Sequence, residues 1–384
     1  MKPVEYYKDR EQTYLKHFFL ERYLETVAYH IGFSRTEFVY VDCFSGPWRA
    51  ADEELGDTSI RIALDRLNSV RTGLALRQKH PAIRAIFVEK SPAAFTTLQQ
   101  VLREHSGDVT TMAIQGAFEG NIGHILDQIG STFAFFFVDP TGWTGFAMDN
   151  LRPILQRTKG EVMINFMYDH INRFLGFRKA SNEESLDRCL GSPDWRKVLD
   201  RPDRESALVN LYVDQIRATG GFRYATFTRV LKPLHDRAYF YLVYATRHAK
   251  GIEEFREVEK KVAREQEVVR ERAQREHRED RSGQAEFGFP ADSPSKGLPD
   301  ERKQQLQKAE ATIIALLRKG PVLYEVLQPQ VLEMPLVRKS DLNRILVSGH
   351  RSGRFVIDGL GPGERTPKSG CKIRLGTEPS AKRD

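Results

Sequence analysis

Apolar positions in the first 250 residues recur with two alternating spacings. At 13–31 (TYLKHFFLERYLETVAYHI) they fall three and four apart, the spacing of one buried helix face. Glu37–Asp42 (EFVYVD) is instead a short β-branched and aromatic run, closed by the turn residues of CFSGPW. The same change of period repeats along the chain. Helices are predicted at Thr58–Leu67, with Thr58 or Ser59 as N-cap, and at Ser91–Glu104, Ile122–Ile129 and Leu151–Arg157. Strands are predicted at Arg84–Glu89 (RAIFVE), Thr111–Gln115, Phe133–Asp139 (FAFFFVD) and Glu161–Phe166 (EVMINF). Continuous apolar strands alternating with helices indicate an α/β fold, a parallel sheet with helices on both faces. Ala225–Val230 and Ala238–Thr246 (AYFYLVYAT) are expected to close it as a late, antiparallel pair.

Beyond residue 250 the pattern changes. Residues 251–280 carry 18 charged side chains in 30, with acids and bases interleaved at helical spacing, which predicts an exposed, ion-paired helix. Residues 282–299 (SGQAEFGFPADSPSKGLP) have the Gly, Ser and Pro content of a linker. Three short helices follow, Lys303–Leu317, Pro321–Val331 and Lys339–Ser348, the last with Ser340-Asp341 as a cap. Strands at Arg354–Ile357 and Lys372–Leu375 flank a loop rich in Gly and Pro. Three helices and a hairpin make a winged-helix pattern. The expected organisation is a first domain over 1–250, a charged connecting helix over 251–281, a linker over 282–299 and a winged-helix domain over 300–384.

Charge adds a partner to this picture. The formal net charge is +7, and residues 301–384 hold 16 Lys/Arg against 9 Asp/Glu, so the rest of the chain is balanced. A basic terminal module points to a polyanion, DNA or RNA. Arg338, Lys339, Arg344, Arg351, Arg354 and Lys372, with Arg365, Lys368 and Arg374 nearby, are the candidate nucleic-acid-binding residues on the third helix and wing. The alternative is a winged helix used for protein contacts. Cys43, Cys189 and Cys371 form no CxxC and the ten histidines are scattered, so no metal site is expected. No apolar run approaches the roughly 18 residues of a membrane span. MKPVEYYKDREQTY lacks a hydrophobic signal core, which predicts a cytoplasmic protein with no membrane partner.

Candidate chemistry lies where strands end, because open α/β sheets bind ligands at the carboxyl ends near a reversal of strand order. Asp42, Glu89 and Asp139 end successive strands, and Glu119 follows another. Any one of these acids can be a loop cap. The first turn, Asp42-Cys43-Phe44-Ser45-Gly46, has one glycine and no GxGxxG, so it suits a nucleoside without diphosphate, such as S-adenosylmethionine. Asp42, Phe44 and Gly46 are assigned to that cofactor, and Glu89 to its ribose hydroxyls, with an insertion at roughly 50–80 accounting for the wide spacing. Gly116, Phe118 and Glu119 are placed beside its adenine, although Phe118 reads equally well as core. Asp139-Pro140-Thr141-Gly142-Trp143 follows the most apolar strand and supplies the candidate catalytic residues Asp139, Pro140 and Trp143.

That last segment resembles the Asp-Pro-Pro-aromatic loop of amino-group methyltransferases, with Thr141 and Gly142 departing from it and Trp143 one place late. The resemblance implies that Asp139 and the Pro140 carbonyl accept hydrogen bonds from an exocyclic amine while Trp143 stacks on the base. YVDCFSGPW, SIRIALDRL, IFVEK, FVDPTGW, EVMINF and YLVYATRHAKGIEEFREV together resemble the three-Cys-motif partner proteins, in order over roughly 5–265. Gly56-Asp57-Thr58-Ser59 replaces the Gly-Ser-Pro common in that family. The resemblance implies a Rossmann-like methyltransferase sheet, S-adenosylmethionine as cofactor, and association with a second protein that bears a three-cysteine motif. It names no substrate. A methyltransferase delivered to nucleic acid by its winged helix is one reading; a non-catalytic nucleic-acid-binding or assembly partner that keeps the fold is the other.

Overall fold

The computed structural model describes residues 1–46, 56–140, 147–175, 180–282, 297–361 and 363–376. Seven strands, β1 (Glu37–Asp42), β2 (Ala82–Glu89), β3 (Thr110–Gln115), β4 (Ala134–Val138), β5 (Gly160–Phe166), β6 (Tyr224–Lys232) and β7 (His235–Thr246), form one sheet in the order β3-β2-β1-β4-β5-β7-β6. The first five are parallel; β7 runs antiparallel to β5 and to β6.

Helices cover both faces, and the period-two alternation of the strands decides which residues each face receives. Val39 and Val41 of β1 and Ala134, Phe136 and Val138 of β4 share one buried cluster. Phe38 and Tyr40, with Phe135 and Phe137, share the other. The helices are α1 (Glu11–Ser34), α2 (Ser59–Ala75), α3 (Pro92–Glu104), α4 (Phe118–Ile129), α5 (Met148–Leu155), α6 (Tyr168–Leu175), α7 (Ala180–Leu190), α8 (Arg204–Gly220) and α9 (Ala249–Ser282). Thr58 caps α2 by accepting from Arg61 N. α4 begins four residues before the predicted Ile122, which brings Phe118 and Glu119 into its first turn. Three helices between β5 and β6 carried no prediction.

The exposed, charged helix expected over 251–280 is corrected by α9. Ile252, Phe255, Val258, Val262 and Val269 recur at helical spacing and are all buried, as are Arg256, Glu259, Gln266 and Arg270. The dense charge hides an apolar stripe that packs on the sheet. Gln266 and Arg270 are buried against β6 and β7, where Gln266 accepts from Leu231 N and Arg270 pairs with Asp236. Arg256 and Glu259 are buried because they hold a second module.

That module comprises α10 (Gly297–Leu317), α11 (Tyr324–Leu332) and α12 (Lys339–Arg351). With them is a small antiparallel sheet of β8 (Val322–Leu323), β9 (Phe355–Asp358) and β10 (Lys372–Leu375) in the order β8-β10-β9. Ala309, Ile313, Leu327, Leu342, Leu346, Phe355 and Ile373 form its own core. It is docked against α9 and β6. The Arg256 guanidinium donates to Leu332 O (2.7 Å), Glu333 O (2.9 Å) and Phe227 O (3.1 Å), and pairs with Glu259 at 2.8 Å. Glu259 accepts from Leu336 N (3.0 Å), and Arg229 pairs with Glu301 at 2.6 Å. Most of the expected linker, 283–296, lies outside the described residues. Among the described residues no helix is long and apolar enough to cross a membrane.

Candidate functional site

Strand order reverses between β1 and β4, so the carboxyl ends of β1, β2, β3 and β4 border the crevice where such sheets bind ligands. The turn after β1 is built from its own strand. Asp42 is fully buried; its Oδ1 accepts from Phe44 N (3.2 Å) and its Oδ2 from Ser59 Oγ (2.9 Å) at the start of α2. Ser45 joins the turn to β2, donating from N to Val88 O (2.8 Å) and accepting at Oγ from Val88 N (3.1 Å). Phe44 and Gly46 are half-buried, and the rings of Phe44 and Phe118 lie 5.4 Å apart. Asp42 therefore holds the turn rather than facing the crevice. Pro47 and Trp48 lie outside the described residues.

Glu89 ends β2, opposite Gln115 of β3. Its Oε1 accepts from Ser91 N at 2.5 Å, while Oε2 has no partner among the described residues. Gly116 N donates to Glu89 O (2.9 Å), and Gly116 has φ +127°. A Cβ there would also meet Asn121 Nδ2 at 2.7 Å, so this turn requires glycine. Phe118 is buried in the core and Glu119 is exposed.

Asp139 follows β4. Its carboxylate is already gripped: Lys16 Nζ of α1 lies 2.5 Å from Oδ2, and Asn165 Nδ2 of β5 donates to Oδ1 at 2.6 Å. The Asn165 Oδ1 and the Tyr40 hydroxyl are buried with no hydrogen-bond partner. Pro140 is buried; Trp143 lies outside the described residues. Lys16 and Asn165 had no signal in the sequence, since each depends on a contact across many residues.

Burial pushes the Asp42 carboxyl up to about 7; donation from Ser59 and Phe44 N draws it back, the Asp139 charge raises it, and Lys16 lowers it. Burial, with the nearby Asp42, keeps the Tyr40 phenol protonated. Because the folded state holds the Asp42 proton more tightly than the unfolded chain, ionisation opposes folding. That contribution to stability is full below about 4 and is lost as pH rises towards about 7. Asp42→Asn keeps an acceptor for Phe44 N and carries no such proton. Its stability relative to wild type should rise from pH 4 to 7 and level off above, as read by denaturant unfolding; a flat difference would show that Asp42 ionises normally.

The basic residues of the second module are less available than their sequence suggests. Lys339 Nζ lies 3.3 Å from Glu253 of α9, Arg344 pairs with Asp341 at 2.9 Å, and Arg354 pairs with Glu310. Arg338 is half-buried; Arg351 and Lys372 are exposed. Among the described residues no three His, Cys, Asp or Glu side chains are placed to hold a metal ion.

The strand order, with its antiparallel β7, is consistent with a Rossmann-like methyltransferase fold. No family model and no curated protein matches the chain. Among solved structures it is similar to a loganic acid methyltransferase with SAH, at 10% identity over 73% of this chain and 92% of that one, with a TM-score of 0.30. So loose a superposition adds nothing to the strand order.

Proposed function

We propose that the chain is an S-adenosylmethionine-dependent methyltransferase acting on nucleic acid, with a C-terminal winged helix for substrate binding. The observation that carries this reading is the meeting of the Gly46 turn, Glu89 and Asp139 at the switch point of the β3-β2-β1-β4-β5-β7-β6 sheet. The donor set fits the cofactor: Glu89 has one carboxylate oxygen uncommitted, and Gly116 sits in a turn that admits no side chain.

S-adenosylmethionine supplies a methyl group activated on a sulfonium. Glu89 Oε2 accepts from ribose hydroxyls, and Gly46 allows close backbone approach. Asp139 and the Pro140 carbonyl accept hydrogen bonds from the acceptor nitrogen, which is chiefly a positioning effect. A carboxylate has about four lone-pair sites, so Asp139 can take one more donor beside Lys16 and Asn165. A base within a duplex would have to be flipped out to reach it. The resemblance to three-Cys-motif partner proteins adds a second protein with that motif as an assembly partner.

The grip of Lys16 and Asn165 on Asp139 favours a second reading, a non-catalytic assembly protein that keeps the fold. Two measurements separate them. Calorimetry should show S-adenosylmethionine binding that weakens roughly tenfold to a hundredfold in Glu89→Ala, the loss of a charge-assisted contact of about 1.5–3 kcal/mol. Unchanged affinity removes Glu89 from the site. Transfer from labelled cofactor to host DNA, RNA and protein, with and without the three-cysteine-motif partner, then tests catalysis; no transfer to any of them leaves the second reading.

A further inference from the structure

We propose that the groove between α10 and α12 binds the phosphate backbone of nucleic acid, an inference that rests on the nucleic-acid reading above, keeps Arg344 of the third helix and moves the remaining contacts from the wing to α10. The groove encloses about 410 Å³ and is lined by Arg302, Lys303 and Arg344 together with Leu306 and Ile345. Sequence pattern placed binding on the third helix and wing. The structure commits Lys339 to Glu253 and Arg354 to Glu310, which weakens that face.

The groove has instead an ordered pair of arginines. Arg302 and Arg344 both donate to Oδ1 of Asp341, at 2.8 and 2.9 Å. Asp341 is only 3% exposed, and its Oδ2 accepts from Arg338 N at the start of α12, so the carboxylate cannot swing. Arg302 is fixed a second time through Leu336 O (2.8 Å). A guanidinium has five N–H donors, so most of those on both arginines remain free. Lys303 is exposed and has no ion-pair partner among the described residues. The groove's own acid, Glu310, is neutralised by Arg354. Two arginines share one buried carboxylate and Lys303 lines the same groove, which leaves a local positive excess. Two forks held in place suit the oxygens of a phosphodiester, because little side-chain freedom remains to be lost on binding. The apolar wall of Leu306 and Ile345 suits the sugar between phosphates.

The test is fluorescence anisotropy of the full chain with a short labelled duplex DNA, the matching single strand and the matching RNA, over a salt series. Lys303 and Arg344 are largely exposed, and Asp341 keeps Arg302 and Arg338 N, so Lys303→Ala with Arg344→Ala should remain folded, which a thermal melt checks. This double variant should bind duplex DNA at least tenfold more weakly at low salt, and its log–log salt slope should be shallower by about 1.8, or 0.9 per lost phosphate contact. Arg344→Lys should keep the slope and lose part of the affinity. Wild-type affinity and slope in the folded double variant would overturn the groove and leave the nucleic-acid reading standing. So would a loss confined to Arg351→Ala with Lys372→Ala, which would restore the wing face. A wild-type chain that binds none of the three probes at low salt would overturn both.

Discussion

Asp139→Ala is expected, under the proposed methyltransferase reading, to lower methyl transfer at least a hundredfold while S-adenosylmethionine affinity stays within about twofold, because in that reading the side chain positions the acceptor and not the cofactor. The substitution removes the carboxylate that both Lys16 Nζ and Asn165 Nδ2 contact at the end of β4. Asp139→Asn separates charge from shape. It keeps an oxygen for Asn165 but leaves the Lys16 ammonium, whose side chain is 14% exposed, without its counter-charge. Transfer in Asp139→Asn should therefore be recovered only in part. The measurement is single-turnover transfer to whichever nucleic acid the wild type modifies, with calorimetry on the same preparations. A folded, cofactor-binding Asp139→Ala that transfers at the wild-type rate would remove Asp139 from the chemistry.

Arg256→Ala should be the most damaging single change to stability. Its guanidinium is fully buried and serves β6, α9 and the segment after α11 at once. Deleting it strands Glu259 and several carbonyl groups, a loss of about 3–5 kcal/mol for one member of a buried pair. Denaturant unfolding gives the magnitude, and limited proteolysis gives the place: cleavage should appear first where α10–α12 leave α9. A loss under about 1 kcal/mol would mean that Arg256 is not the main tie and that the other contacts, among them Arg229–Glu301 and Lys339–Glu253, hold the two parts.

The sequence makes the strands of the sheet legible because both faces are buried, so β4 is an unbroken apolar run and β1, β2 and β5 are nearly so, stopping where the backbone turns. Asp42, Glu89 and Asp139 were found for the same reason: a carboxylate marks the end of β1, of β2 and of the run that forms β4. Of the helices over 168–220, α6 and α7 are short and followed by turns, whereas α8 has a helical apolar face of Leu208, Val209, Tyr212, Val213 and Ile216 that was legible although it carried no prediction. What each acid does was not legible. Asp42 and Glu89 look alike in sequence, yet one anchors its own turn through Ser59 and the other keeps an oxygen free. The charged run after residue 250 misled most, because period-three apolar residues hidden among 18 charges weigh little in a composition count. The partners of Arg256 and Lys16 are tertiary and leave no local trace.

The docking of the second module has a consequence for association between molecules. β6 is the last strand of the sheet, and a strand in that position offers a row of unpaired amides to any neighbouring chain. Here Ala225 N donates to Glu333 Oε1 (2.9 Å), Thr226 Oγ donates to Glu333 O (2.6 Å), and Leu231 N donates to Gln266 Oε1 (2.9 Å). A register shift near Val230 and Leu231 further spoils the edge as a template. The amides of Ala225 and Leu231 are thus answered by side chains of the same polypeptide, one from the segment after α11 and one from α9, and strand-to-strand polymerisation at that edge is opposed by the helices that cover it.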